Sequence, residues 1–300
     1  MRNVTPKRLF QRFMIFLGRT PLIRDAMPDK TYLTILYNYV TGRKIDWNDL
    51  KRYNEKLQWL KAYDHNELYT IMADKYKVKE YVSSKIGSEY VIPLIDTWKK
   101  TKDIDFSSLP DRFVLKCNHD GGVFIVKDKN SADLVTICQK LKKRLKRKFY
   151  YNGREWSYKN IEPRIICEEY MEDSTGELSD YKVMCFDGKA KIIQVHKGRF
   201  KNHTQGFYDV DWNKLDISQS EIESSRVVEP KPVIFDEMIK LSEQLSAGLP
   251  HVRVDWYDYN GRLLFGEFTF YDSAGFDDFI PDEWNEIIGD WIDLSKVKRD

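Results

Sequence analysis

Near the end of this 300-residue chain stand two carboxylates and a hydroxyl: Asp255 in Arg253-Val254-Asp255, then Glu267 and Thr269 in Glu267-Phe268-Thr269. Hard oxygen donors that leave coordination positions open suit Mg²⁺ carrying nucleotide phosphates. Their use depends on the turn between them, Tyr259-Asn260-Gly261-Arg262. Side chains alternate faces along a strand. A two-residue Asn-Gly loop opposes Asp255 to Gly266 and turns Glu267 away, whereas an odd-length loop, such as a type I turn with Gly261 left-handed, gathers both carboxylates on one face. The odd loop is the expectation, with Asp255, Glu267 and Thr269 as metal ligands. An ordinary acidic surface hairpin is the alternative.

Upstream, the run from Phe113 to Val126 reads as strand, polar glycine loop, strand. Gly121 and Gly122 let backbone N–H groups approach phosphate, and Lys116 at the end of an apolar strand supplies a fixed positive charge. No Gly-Lys-Ser/Thr follows, so this is not a Walker loop. An Asp-Gly-Gly hairpin with a snorkelling lysine fits the same residues. Arg164 to Met171 is a buried-looking strand ending in acids, and a polar loop separates it from the strand Asp180-Tyr181-Lys182-Val183-Met184-Cys185-Phe186. That loop has the character of an interdomain crossing.

The order of these features resembles the ATP-grasp superfamily: a lysine before a helix (Asp74-Lys75), a lysine before a glycine loop, an acidic hinge, an Asp-x-Lys strand, and Asp, Glu and Thr on a final hairpin. The wording of Asn54-Glu55-Lys56-Leu57-Gln58-Trp59-Leu60, Ala73-Asp74-Lys75-Tyr76, Asp180-Tyr181-Lys182 and Glu267-Phe268-Thr269-Phe270 is similar to the TupA-like branch, found in surface-polysaccharide gene clusters. The resemblance implies an α+β fold of two lobes with ATP between them, preceded by a reduced, mainly helical N-terminal region. It implies that Lys75 and Lys116 reach the adenine edge and phosphates, under a flexible loop of Asn118, Gly121 and Gly122. By the same likeness Glu169, Tyr170 and Met171 form the adenine hinge, Asp180 meets the ribose, and Lys182 meets a phosphate. Asp255, Glu267 and Thr269 take the metal, with Thr269 where many relatives carry Asn. Arg199 and Arg253 are the foremost cations for the transferred phosphoryl group and the acyl intermediate.

The expected divisions are 1–65 for the N-terminal helices, 66–167 for the smaller lobe and 168–300 for the larger lobe with the metal site. With 49 basic and 47 acidic residues the charge nearly balances, so nothing calls for nucleic acid as a partner. No apolar run reaches transmembrane length and no secretory leader pattern is present, which points to the cytoplasm. Cys117, Cys138, Cys167 and Cys185 lack Cys-x-x-Cys spacing and read as reduced core residues. Thr5, Pro6 and Gly18 frame a basic amphipathic helix that suits a membrane surface, packing on the domain, or a second subunit. The basic run Lys140 to Lys148 reads as a solvated helix face or a guide for an anionic acceptor. Trp156, Trp212, Trp256 and Tyr257 are either core or sugar-stacking rings.

The resemblance implies a carboxylate–amine ligase that uses ATP and Mg²⁺, forms an amide through an acyl phosphate, and joins an amino acid to an acidic, uronic-acid-type sugar or glycan. Contact with a membrane or a polysaccharide-assembly complex is part of that setting. The rival readings are a glycosyltransferase and a non-catalytic nucleotide-binding partner. The Asp-x-Asp at Asp209-Val210-Asp211 lies in a polar stretch after no buried strand.

Overall fold

A computed structural model of the protein describes residues 6–172, 178–198, 203–219 and 222–298. Three helices come first: α1 (Pro6–Leu17), α2 (Asp29–Thr41) and α3 (Tyr53–Tyr63). Gly42 ends α2 in the left-handed conformation, φ +80°, and returns its N–H to Asn38 O. Then come α4 (Leu68–Ala73), α5 (Lys77–Ile86), β1 (Leu94–Trp98), β2 (Phe113–Cys117), β3 (Val123–Val126), α6 (Leu134–Arg144), α7 (Tyr150–Gly153) and β4 (Ile165–Glu169). The four strands make an antiparallel sheet in the order β1-β4-β2-β3. Along β2, Phe113, Leu115 and Cys117 are buried while Val114 and Lys116 are half-buried, the period-two pattern of a strand with one face on a core. That core is closed by Val126, Ile165, Cys167 and Leu141 of α6. All of β4 belongs to this sheet, so the boundary expected between 167 and 168 falls inside a strand, and the chain crosses over between Glu169 and Ser179.

The second half holds β5 (Ser179–Phe186), β6 (Lys189–Lys197), β7 (Thr204–Tyr208), the short β8 (Lys214–Leu215), β9 (Ser218–Gln219) and β10 (Glu223–Ser224), α8 (Phe235–Ser246), β11 (His251–Tyr259), β12 (Arg262–Thr269), β13 (Phe279–Ile280) and α9 (Trp284–Asp290). The larger sheet runs β10-β7-β6-β5-β11-β12, with β8 against β7, and is antiparallel except where β10 meets β7. Its apolar face, with Val183, Ile193 and Val254, packs under α8 through Met238, Leu241 and Leu245. Trp256 is fully buried there and donates to Ser242 Oγ at 2.8 Å. Trp212 stacks on Tyr208 with ring centroids 4.5 Å apart, and the buried Trp156 stacks on His65 at 4.1 Å. All three tryptophans are therefore packing residues rather than sugar platforms; Tyr257, half-buried, points from the other face. The four cysteines are free thiols, with only Cys138 reaching the surface.

Candidate active site between the two sheets

The hairpin does bring Asp255 and Glu267 together, by a route other than the expected one. Tyr259 pairs with Arg262, so the loop is the two-residue Asn260-Gly261, both left-handed at φ +52° and +81°. This is a type I′ turn, not an odd-length loop. Parity is recovered further along: Trp256 pairs with Phe265 but Asp255 pairs with Glu267, which leaves Gly266 as the extra residue of a β-bulge. A Cβ on Gly266 would lie 3.1 Å from the Asp255 carbonyl oxygen, so the bulge needs a glycine.

Directly opposed residues share a face, and the row across the sheet reads Glu267, Asp255, Lys182, Gln194. Lys182 Nζ lies 2.5 Å from Asp255 and 3.1 Å from Asp180. Arg253, opposite Thr269, grips Asp255 with Nε at 2.7 Å and Nη2 at 2.9 Å, and donates to Thr269 Oγ1 at 3.1 Å. Its remaining nitrogen pairs with Asp272, a buried carboxylate that sequence reasoning missed because it follows the strand instead of lying in it.

Asp272 sits on a segment that α3 holds in place. Gln58 Nε2 donates to Gly275 O at 2.7 Å, Lys61 Nζ to Ala274 O at 2.6 Å, and Asn54 Nδ2 to Asp277 O at 2.8 Å. Ser273 and Ala274 are left-handed without being glycine, at φ +45° and +51°. Such conformations persist where surrounding contacts over-determine them. The motif from Asn54 to Leu60 thus positions Asp272, which orients Arg253, which orients Asp255.

The opposing charges come from the turn between α4 and α5, from α5 and from the smaller sheet. Lys75, just ahead of α5, reaches Glu267 at 2.7 Å, and its N–H donates to Asn118 O at 3.0 Å. Burial opposes ionisation of Glu267, but Lys75, Lys182 and Arg253 together hold its carboxyl well below the usual range. Lys116 does not stand free on its strand: it pairs with Glu168, which also accepts from Lys79 at 2.6 Å. Burial again opposes the charge, and the two lysines pull Glu168 down to about 2. Glu168 and Lys79 escaped the sequence reading, which placed the acidic role on Glu169; Glu169, next along the strand, is exposed.

Asn118 is corrected from flexible-loop residue to fixed pivot. It is fully buried, donating to Asp74 at 2.8 Å and to Glu162 O at 3.0 Å while its Oδ1 accepts from Arg164 N–H at 2.8 Å. The glycine turn beyond it is organised by Asp120, which accepts from Gly122 N–H at 2.9 Å and Arg144 at 2.8 Å. The basic run of α6 therefore sends at least Arg144 into this turn. Gly121 is exposed, with nothing near its missing side chain. Tyr170 is covered by the Arg112 guanidinium at 4.4 Å, Met171 is half-buried, and Asp180 lies buried at the start of β5. Arg199 lies outside the described residues. Beyond Gln194 the same face carries His196 and Gln205, also missed; burial, with Lys182 and Arg253, pushes His196 down to about 2, so its imidazole is neutral.

Among the described residues no group of three or more His, Cys, Asp and Glu converges as a metal cage. Two carboxylates and the Thr269 hydroxyl on one face nevertheless fit a hard cation whose other ligands come from a polyanion. The counter-charges on those carboxylates, Lys75, Lys182 and Arg253, are cations that a polyanion would re-pair.

The family model described as TupA-like ATPgrasp matches residues 55–293. No curated protein matches the chain. Among solved structures, D-alanine–D-alanine ligase from Bacillus anthracis complexed with ATP is 18% identical, with TM-score 0.43, 72% of this chain and 61% of that chain covered. An N5-carboxyaminoimidazole ribonucleotide synthetase in its ADP complex is 13% identical, with TM-score 0.43 and coverage of 72% and 50%. L-amino acid ligase from Bacillus licheniformis is 14% identical, with TM-score 0.41 and coverage of 68% and 44%. The chain thus spans less than two thirds of the length of each of these proteins.

Proposed function

The chain belongs to the TupA-like ATP-grasp family, and from that premise we propose that it is an ATP-dependent carboxylate–amine ligase. The observation that supports this reading best is the paired row itself: Asp255 and Glu267 opposed on one face, with Lys75, from the turn between α4 and α5, reaching Glu267. ATP binds between the sheets, its adenine along Glu169, Tyr170 and Met171 and its ribose toward Asp180. Lys75 and Lys116 exchange their carboxylate partners for phosphate oxygens, and the turn at Gly121 and Gly122 closes over them. Mg²⁺ held by Asp255 and Glu267, with Thr269 beside them, supplies neutralisation of charge on the phosphates. Lys182 and Arg253, with Arg199, steady the transferring phosphoryl group.

The substrate carboxylate oxygen attacks the γ-phosphorus and ADP leaves. The amine then attacks the acyl carbon, the C–O bond to phosphate breaks, and the amine gives up its proton. The substrates proposed are an amino acid and an acidic sugar or glycan of a surface polysaccharide, with the chain at work where ATP is available, in the cytoplasm. Two observations weigh against a glycosyltransferase and a non-catalytic partner respectively. Asp209 is consumed in its own turn, accepting from Asp211 N–H at 2.9 Å and Asn213 N–H at 2.8 Å. The two carboxylates proposed for the metal, Asp255 and Glu267, stand directly opposite each other.

Incubation with ATP, Mg²⁺, hydroxylamine and a panel of uronic acids and amino acids tests the chemistry. A hydroxamate formed in step with ADP is expected and identifies the activated carboxylate. AMP with pyrophosphate would mean adenylation, and sugar transfer from a nucleotide sugar without ATP would replace the ligase reading altogether.

A further inference from the structure

Helix α1 is mounted the wrong way round for a helix that serves only the core. The residues it buries are Gln11 and Ile15. Gln11 Nε2 donates to Asn38 Oδ1 of α2 at 2.6 Å, Arg8 donates to Tyr39 O at 3.2 Å, and Ile15 packs with Tyr32 and Leu36. Its large apolar side chains face outward: Leu9 is 54% exposed, Phe10 62%, Phe13 56% and Phe16 63%. At about 100° per residue these four fall in one arc, with Lys7 on one flank and Arg12 on the other, and the helix holds no acidic residue. Lys7 and Arg12 have no ion-pair partner among the described residues.

We propose that α1 is a membrane-surface helix, which lays its phenylalanine face into an anionic phospholipid bilayer and its flanking cations among the headgroups. A contiguous exposed apolar patch with a polar rim marks an interface, and a short helix with an aromatic face and basic flanks is the form that lies in the plane of a bilayer. It does not span: no helix among the described residues is long and apolar enough to cross a membrane. Charge decides between lipid and a second copy. A two-fold interface would set the patch against itself, bringing basic flanks together with no acid to meet them. An anionic surface complements both flanks, each worth about 1 kcal/mol, or about fivefold in affinity. This inference stands apart from the ligase reading, because α1 carries none of the residues given a catalytic role.

Co-sedimentation of the full chain with vesicles tests it. Binding is expected on phosphatidylcholine mixed with phosphatidylglycerol, with much weaker binding on phosphatidylcholine alone and loss of binding at high salt. Phe13→Ser with Phe16→Ser should abolish binding, and Lys7→Gln with Arg12→Gln should weaken it on the order of 30-fold. These side chains face solvent, so unchanged thermal melting would show that the fold is intact. No binding by the parent protein, or equal binding to both vesicle types, would overturn the proposal. So would a dimer that the phenylalanine variants dissociate while no vesicle uptake occurs, since that outcome assigns the face to a second copy.

Discussion

Glu168 is buried between the ammonium groups of Lys79 and Lys116, and at the scale of single residues it makes the most specific statement about pH. Burial disfavours its charge, yet the two lysines hold its carboxyl at about 2 against an ordinary value of 4.5. The folded pKa is the lower one, so at acidic pH the unfolded chain binds more protons there. The contribution is fully present above about pH 4.5 and is lost as pH falls toward 2, on the order of 3 kcal/mol. Denaturant unfolding at a series of pH values in that window should show a steeper loss for the parent protein than for Glu168→Gln. Parallel curves would mean that the buried triad does not form. The sequence led to Lys116 but not to its partner. Two glutamates end one strand, and period two alone says that they face opposite ways without saying which way either points. Lys79 lay on a helix with no distinguishing neighbour. Asp180, Lys182, Arg253 and Asp255 were legible because they stand on strands two residues apart, where alternation fixes a common face.

Among elements, the β11–β12 hairpin carries the site, and its bulge sets whether the two carboxylates meet. Gly266→Val forces a side chain against the Asp255 carbonyl oxygen and the Tyr257 ring, each 3.1 Å from the added Cβ. Overpacking of this kind costs on the order of 1–3 kcal/mol. Because relief comes by shifting register, Glu267 should leave its place opposite Asp255, and turnover should fall at least as far as stability does. Activity assays beside thermal melting check this. A Gly266→Val protein with parental activity would show that the bulge is dispensable. The existence of the hairpin and its Asn-Gly turn could be read from spacing. The shared face could not: with the two-residue turn, spacing alone puts Glu267 on the opposite face, and the residue that restores parity is a glycine elsewhere in the strand. The glycine loop shows the same limit. Its strands were legible, but the polar contacts that fix Asn118 come from Asp74, Glu162 and Arg164, distant in sequence.

Over the whole molecule, Lys75 in the turn between α4 and α5 links the two sheets, its side chain paired with Glu267 and its backbone N–H donating to Asn118 O just after β2, and α3 ties the N-terminal helices to the segment bearing Asp272. Helix α3 thereby supports the Arg253–Asp255 pair from outside it. The charged side chains of the site form neutralised pairs, and on the proposed reading a nucleotide with its metal would exchange partners with them: phosphates for carboxylates on the lysines, Mg²⁺ for ammonium groups on the carboxylates. That exchange is the central claim. It is tested most directly by calorimetric titration of the protein with a non-hydrolysable ATP analogue, with and without Mg²⁺, on the parent chain, Lys116→Ala and Glu267→Gln. The account predicts saturable binding by the parent that weakens about tenfold or more in Lys116→Ala, and a Mg²⁺ dependence that largely disappears in Glu267→Gln. No binding by the parent, or equal Mg²⁺-dependent binding by all three proteins, would contradict it.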